Sequence, residues 1–142
     1  MTDARHAARR TRRAAGFALF ELIVAVLVLG VLVGIALPSF DRLLQGSRRQ
    51  DAHDLLRLNA LRLQRCFTLE GIYNGSCWLR ETSDSGHYRL ERGEGDIGRS
   101  SYTLRAVPVA DGPQANDAAC TAFVYEHTGA TSATGSDPDA CW

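Results

Sequence analysis

No lysine occurs in this 142-residue chain; all 16 basic residues are arginine, balanced by 16 Asp and Glu to a formal net charge of zero. That balance excludes a uniformly basic protein built around nucleic acid. A mean hydropathy of −0.15 excludes a polytopic membrane protein, and 45% apolar residues exclude a disordered chain. No GxSxG, HExxH, P-loop or GxGxxG-plus-helix signature is present, and no CxxC pair. His6, His53, His87 and His127 are scattered singly, and His53 beside Asp54 reads as solvated helix surface. An enzyme is therefore not expected, and neither a cofactor nor a metal. Zinc lacks its ligand spacing. Asp137 and Asp139 around Pro138 read as a solvated loop more than as calcium ligands.

The residues that are present are distributed asymmetrically. Residues 1–16 hold Arg5, Arg9, Arg10, Arg12 and Arg13 against Asp3 alone. Residues 17–37 then form a run of 21, of which 18 are apolar and one, Glu21, is charged. As a helix at about 1.5 Å per residue this run spans roughly 30 Å, a bilayer core. The arginines before it predict a cytoplasmic N-terminus and export of the chain beyond Pro38. A plain signal anchor explains the hydropathy but not two details. A carboxylate within such a run costs on the order of 2.5–3.5 kcal/mol at the bilayer centre, so Glu21 reads as functional. The junction Ala15-Gly16-Phe17 offers a cytoplasmic protease a small residue, and a cut there would leave nearly the whole apolar helix on the mature chain. The new amine on Phe17 would be a partner of opposite sign for Glu21 of a neighbouring subunit.

Gly16-Phe17-Ala18-Leu19-Phe20-Glu21-Leu22-Ile23-Val24-Ala25-Val26-Leu27 followed by Pro38-Ser39-Phe40 resembles the class III signal of type IV pilins and type II secretion pseudopilins. The resemblance implies cleavage after Gly16 and methylation of the Phe17 amine by a prepilin peptidase, and pairing of Glu21 with a neighbour's N-terminus during assembly. It implies an inner-membrane protein, single-pass with a cytoplasmic N-terminus, passed by an assembly platform into an extracellular pilus of other pilin subunits. Ala18-Leu19-Phe20 departs conservatively from the Thr and Ile more usual there. Further on, Gly71-Ile72-Tyr73, Ala106-Val107-Pro108, Gly112-Pro113-Gln114, Asp117, Cys120 and Cys141-Trp142 resemble PilE-type minor pilins.

Gly30-Val31-Leu32-Val33-Gly34 is a GxxxG pattern, readable as close helix approach, as a loosening point, or as ordinary glycine content. Pro38 removes a backbone hydrogen bond and is expected to kink the helix at the membrane boundary. Leu44, Ala52, Leu55, Leu56, Leu63 and Phe67 recur at helical spacing between arginines, so residues 39–70 read as an amphipathic extension packing one face on a head. From Gly71 the texture changes: residues 71–98 hold six of the 13 glycines. Strands are expected at 87–90, 101–107 and 121–125, with an edge strand at 130–133. The expected organisation is a leader at 1–16, an apolar helix at 17–38, a helix extension at 39–70 and a β-sheet head at 71–142. The fold class is α+β, and the resemblance gives it the type IV pilin fold.

After the apolar run only 40 of 105 residues are apolar, a thin core that calls for covalent support. Four cysteines in an exported domain suggest two disulfides in one of three connectivities. Local pairing and the family habit of a C-terminal disulfide-bounded loop favour Cys66–Cys77 and Cys120–Cys141. The function expected is that of a structural minor subunit of a type IV pilus. Two alternatives stand beside it, a type II secretion pseudopilin and a minor pilin acting as a DNA-uptake receptor. For the latter, Arg89, Arg92, Arg99 and Arg105 fall in one β-rich stretch with Tyr88 and Tyr102 near enough in sequence to stack on bases. The mature chain carries 11 arginines against 15 acidic residues. A mixed soluble surface is therefore the stronger reading.

Overall fold

The computed structural model describes residues 14–74, 76–93 and 95–142; within helix α1 the side chains of residues 14–17 and 37–39 are outside that description. Most of the leader, with His6, lies outside the described residues. So do the side chains at Phe17 and Pro38, and nothing is described of Gly16 beyond its place in the helix. Two compact units are formed, Met1–Arg42 and Leu43–Trp142.

Helix α1 is Ala14–Glu70. In the first unit, every described side chain from residue 18 to 36 is exposed. The helix ends where Gly71 takes φ +74° and donates its N–H to the Phe67 carbonyl at 2.8 Å. That left-handed turn is the usual glycine stop and satisfies one of the last orphan carbonyls.

In the second unit, strands β1 (Tyr88–Glu91), β2 (Thr103–Pro108), β3 (Ala122–Glu126) and β4 (Thr131–Thr134) form one antiparallel sheet in that order. Registers include Leu90 opposite Ala106, Leu104 opposite Tyr125 and Phe123 opposite Ala133. A short 3-10 helix, Pro138–Ala140, follows. Each strand starts one or two residues later than the β-like runs suggest, because His87, Ser101 and Thr121 serve as entry residues rather than ladder members.

Alternation sets the inner face. Tyr88 and Leu90 of β1 and Leu104 and Ala106 of β2 point inward, while Arg89 and Thr103 point to solvent. They meet Ala52, Leu55, Leu56, Ala60 and Leu63, which share one face of α1 at helical spacing. Phe123 and Tyr88 are the largest side chains of this core, both fully buried and edge to face at 5.5 Å. Disulfides join Cys66 to Cys77 and Cys120 to Cys141, across 11 and 21 positions. Each constrains the unfolded chain by about 2–4 kcal/mol. The second one anchors a C-terminal strap. Ser136 and Asp137 donate their N–H groups to the carbonyls of Ala118 and Ala119, at 2.9 and 3.2 Å.

His53 is not solvated helix surface. It is 8% exposed, its Nε2–H donates to the Cys141 carbonyl at 2.9 Å, and Trp142 stacks on it at 4.4 Å. Periodicity alone missed this because the group that covers His53 arrives 88 positions later.

Candidate functional site

The first candidate surface is the apolar half of α1. Leu19, Phe20, Leu22, Leu27, Leu32 and Ile35 all leave more than half of their surface open. An exposed apolar stretch of this length, with no polar face of its own, marks a membrane or protein contact surface. Glu21, Gly30 and Gly34 lie in it, and a Cβ on either glycine would meet nothing within 4 Å.

A second surface lies where the end of α1 meets the loop toward β1. Asn59, fully buried, accepts the Arg80 N–H at Oδ1 (2.7 Å) and donates from Nδ2 to the Arg80 carbonyl (2.9 Å). One turn along the helix, Arg62 Nη1 donates to the Trp78 carbonyl at 2.7 Å. A further turn along, Cys66 is bonded to Cys77. The loop closes on itself as well: Ser76 N–H donates to Asn74 Oδ1 at 2.9 Å, and Leu79 N–H to the Cys77 carbonyl at 2.6 Å. Trp78 sits at the apex of this tight turn and is 89% exposed. Leaving so large an apolar ring in water forgoes about 2–3 kcal/mol of burial. Beside it opens a groove of about 430 Å³, lined by Arg62, Arg65, Cys66, Leu69 and Trp78.

On a third surface, the sheet arginines form the mixed, charge-paired surface that was the stronger reading, not the alternative DNA-contacting patch. Arg89 and Arg105 share Glu91, at 3.7 and 2.9 Å, and Arg92 pairs with Glu81. Tyr88 and Tyr102 are core residues, 0% and 5% exposed, so neither presents a ring face to a base. Burial raises both hydroxyls above the ordinary tyrosine range, Tyr102 to about 12. Their strand alternation was the signal for an inward position, and proximity in sequence to the arginines was not a guide to the face. Among the described residues, Arg57, Arg62 and Arg65 on α1, with Arg99, have no carboxylate within ion-pair distance. Trp78 went unnoticed in the sequence because exposure leaves no periodic trace in a loop; a Trp directly after a disulfide cysteine was the available hint.

Polar chemistry inside the head is structural. Asp117, almost fully buried, accepts both Nε and Nη2 of Arg49 at 2.8 and 2.9 Å, while Arg49 Nη1 reaches the Ala140 carbonyl at 3.3 Å. This contact raises the Arg49 pKa above its ordinary value. Gln114, also fully buried, donates to the Tyr88 hydroxyl at 2.9 Å. The pairs bind the segment between β2 and β3 to α1 through Asp117 and to β1 through Gln114. No group of three or more His, Cys, Asp or Glu placed to share a metal occurs among the described residues.

A solved minor pilin has the same fold. The chain resembles the non-core minor pilin PilV of Neisseria meningitidis, at 18% identity over 66% of this chain and 90% of that one, with a TM-score of 0.52. A type IV pilin from Shewanella oneidensis matches at 25% identity over 61% of this chain and 89% of that one, with a TM-score of 0.46. The family model described as "Type IV minor pilin ComP, DNA uptake sequence receptor" matches residues 38–124, from the foot of the helix extension to strand β3. That span is more than half of the chain, and the protein belongs to this family of type IV minor pilins.

Proposed function

We propose that this chain is a structural minor subunit of a type IV pilus, held in the inner membrane with its N-terminus in the cytoplasm until a prepilin peptidase cuts after Gly16. The observation that carries this reading is the apolar half of α1, exposed along its whole described length. Such a surface is stable only in lipid or against other helices, and moving from one to the other is what filament growth requires. Glu21 is its only charge. A neighbour's Phe17 amine would neutralise it and fix the register between subunits, because an unpaired carboxylate in that surface is costly. Hydrophobic contact between helices would hold the filament, and the head would stay outside the helical core.

Mass spectrometry of sheared filaments tests this. The expected result is a mature chain beginning at methylated Phe17. Glu21→Ala is expected to insert and be cleaved but to be scarce in filaments, and Gly16→Val to stay unprocessed. Normal incorporation of the Glu21→Ala chain would contradict the role given to Glu21.

A second reading, that the head takes up DNA, draws support from the family description and from the unneutralised arginines of α1. Phosphate contacts of this kind weaken steeply with salt. Salt-sensitive retardation of DNA by the full-length protein in detergent is expected, and no retardation even at low salt would remove this reading.

A further inference from the structure

We infer that Trp78, flanked by Arg62 and Arg65, is a preorganised contact for the face of a nucleobase, the arginines taking the adjoining phosphates. This rests on the DNA reading above and assigns it a place on the molecule. Three fasteners carry the inference: the Asn59–Arg80 pair of hydrogen bonds, the Arg62–Trp78 carbonyl bond and the Cys66–Cys77 disulfide. They leave α1 at positions 59, 62 and 66, spaced three and four residues apart and so on one helix face. The segment they hold packs Cys77 inward and turns the Trp78 ring out, 89% exposed. Its neighbour Leu69 is 76% exposed and gives the groove an apolar floor.

The charge and shape of the groove suit a nucleic acid. Aromatic rings stack on any base because every base has a π-face, and a guanidinium beside the ring meets the backbone phosphate. Arg65 has no carboxylate partner among the described residues, and Arg62 binds only a carbonyl, so both guanidiniums keep their full charge for an anion. The sheet arginines, already sharing Glu91 and Glu81, gain less from the same exchange. Rigid mounting also lowers the ordering cost of binding, since the ring needs no loop closure to meet its ligand. A base face is offered either by a single strand or by an opened step within a duplex, and the chemistry at Trp78 is the same for both.

The experiment is binding of full-length protein in detergent micelles to one labelled sequence, as duplex and as single strand, over a range of salt. Trp78→Ala is expected to weaken binding about 5- to 150-fold with the salt slope unchanged. Trp78→Phe is expected to retain most of the affinity. Arg65→Gln is expected to reduce the salt slope by about one. Thermal unfolding of all three variants is expected to match the parent, because the substituted side chains lie on the surface. A loss confined to single strands, or one shared with the duplex, supports the assignment and identifies the source of the base. Salt-sensitive binding by the parent with equal binding by Trp78→Ala overturns the Trp78 assignment while leaving the DNA reading in place. No binding by the parent removes the DNA reading, and this inference with it. Unchanged DNA binding with fewer Trp78→Ala subunits in filaments would make Trp78 a contact with a neighbouring pilin, and would also overturn it.

Discussion

Asn59 and Arg80 form a closed ring of two hydrogen bonds: the Asn59 amide accepts the Arg80 N–H at 2.7 Å and donates to the Arg80 carbonyl at 2.9 Å. A side-chain amide here takes the place of a missing strand, satisfying both backbone groups of a loop residue at a helix surface. Asn59 itself is fully buried, and Arg80 is half-buried, so the ring is largely shielded from water.

Asn59→Ala is expected to lower the stability of the head by about 1–3 kcal/mol, because it removes both hydrogen-bond partners of the part-buried Arg80 backbone. The denaturant midpoint measures that loss. Asn59→Asp, which keeps the acceptor but loses the donor, is expected to be no better than the alanine variant.

Asp117 and Arg49 are a desolvated pair, their side chains 1% and 16% exposed. Removing one partner strands the other, so Asp117→Ala is expected to destabilise by about 3–5 kcal/mol, toward the lower end because Arg49 keeps some water. Arg49→Met combined with Asp117→Leu is expected to recover part of the loss. A double-mutant cycle on the unfolding free energy checks both.

His53 gives the head a pH dependence with a definite sign. Burial holds its pKa below the ordinary 6.5, Arg57 and Arg49 push the same way, and the Cys141 carbonyl and Asp54 oppose them. The unfolded chain therefore binds a proton at a higher pH than the folded one. Stability is full above about pH 6.5 and falls as pH drops below it, levelling off beneath the folded value. Urea midpoints are expected to fall between pH 7.5 and 5.5. His53→Gln, which retains a donor for the Cys141 carbonyl, is expected to flatten that change.

Gly135 has φ +144°, and a Cβ there would stand 2.0 Å from the Ala119 carbonyl oxygen. Backbone meets backbone, with no flexible side chain to give way. Gly135→Ala is expected to displace the C-terminal strap and cost more than about 3 kcal/mol. The comparison is Gly86→Ala, with φ +74° but open space around its Cβ, where only the strain of the left-handed conformation of about 1–2 kcal/mol is expected.

Much of the fold was legible because it rests on periodic signals. The helix extension declared itself through Ala52, Leu56 and Leu63, and its end through Gly71. Strands declared themselves through Tyr88-Arg89-Leu90 and Thr103-Leu104-Arg105-Ala106. Errors fell where a residue's environment is made by distant chain. His53 looked like surface because its cover, Cys141 and Trp142, lies at the far end of the sequence. Tyr88 and Tyr102 figured only in the weaker, DNA-binding reading, and their own alternation places them in the core. Arg89, Arg92 and Arg105 looked available because Glu81 and Glu91 become their partners only once the sheet forms. Trp78 is the converse case, an apolar residue whose exposure depends on three contacts from a helix 12 to 19 positions upstream.

The strap that carries Cys141 and Trp142 also orders events in time. A chain made from its N-terminus presents the helix face at Ala52, Leu56 and Leu63 well before the sheet that covers it. The Cys66–Cys77 pair spans only 11 positions and is available early. The contacts of Arg49 with Ala140 and of His53 with Cys141 span 91 and 88 positions and close last. A head without the strap in place would expose His53, which Cys141 and Trp142 cover. Closure of the core over His53 thus waits for the strap around Cys141, whose contacts carry the longest loop-closure cost.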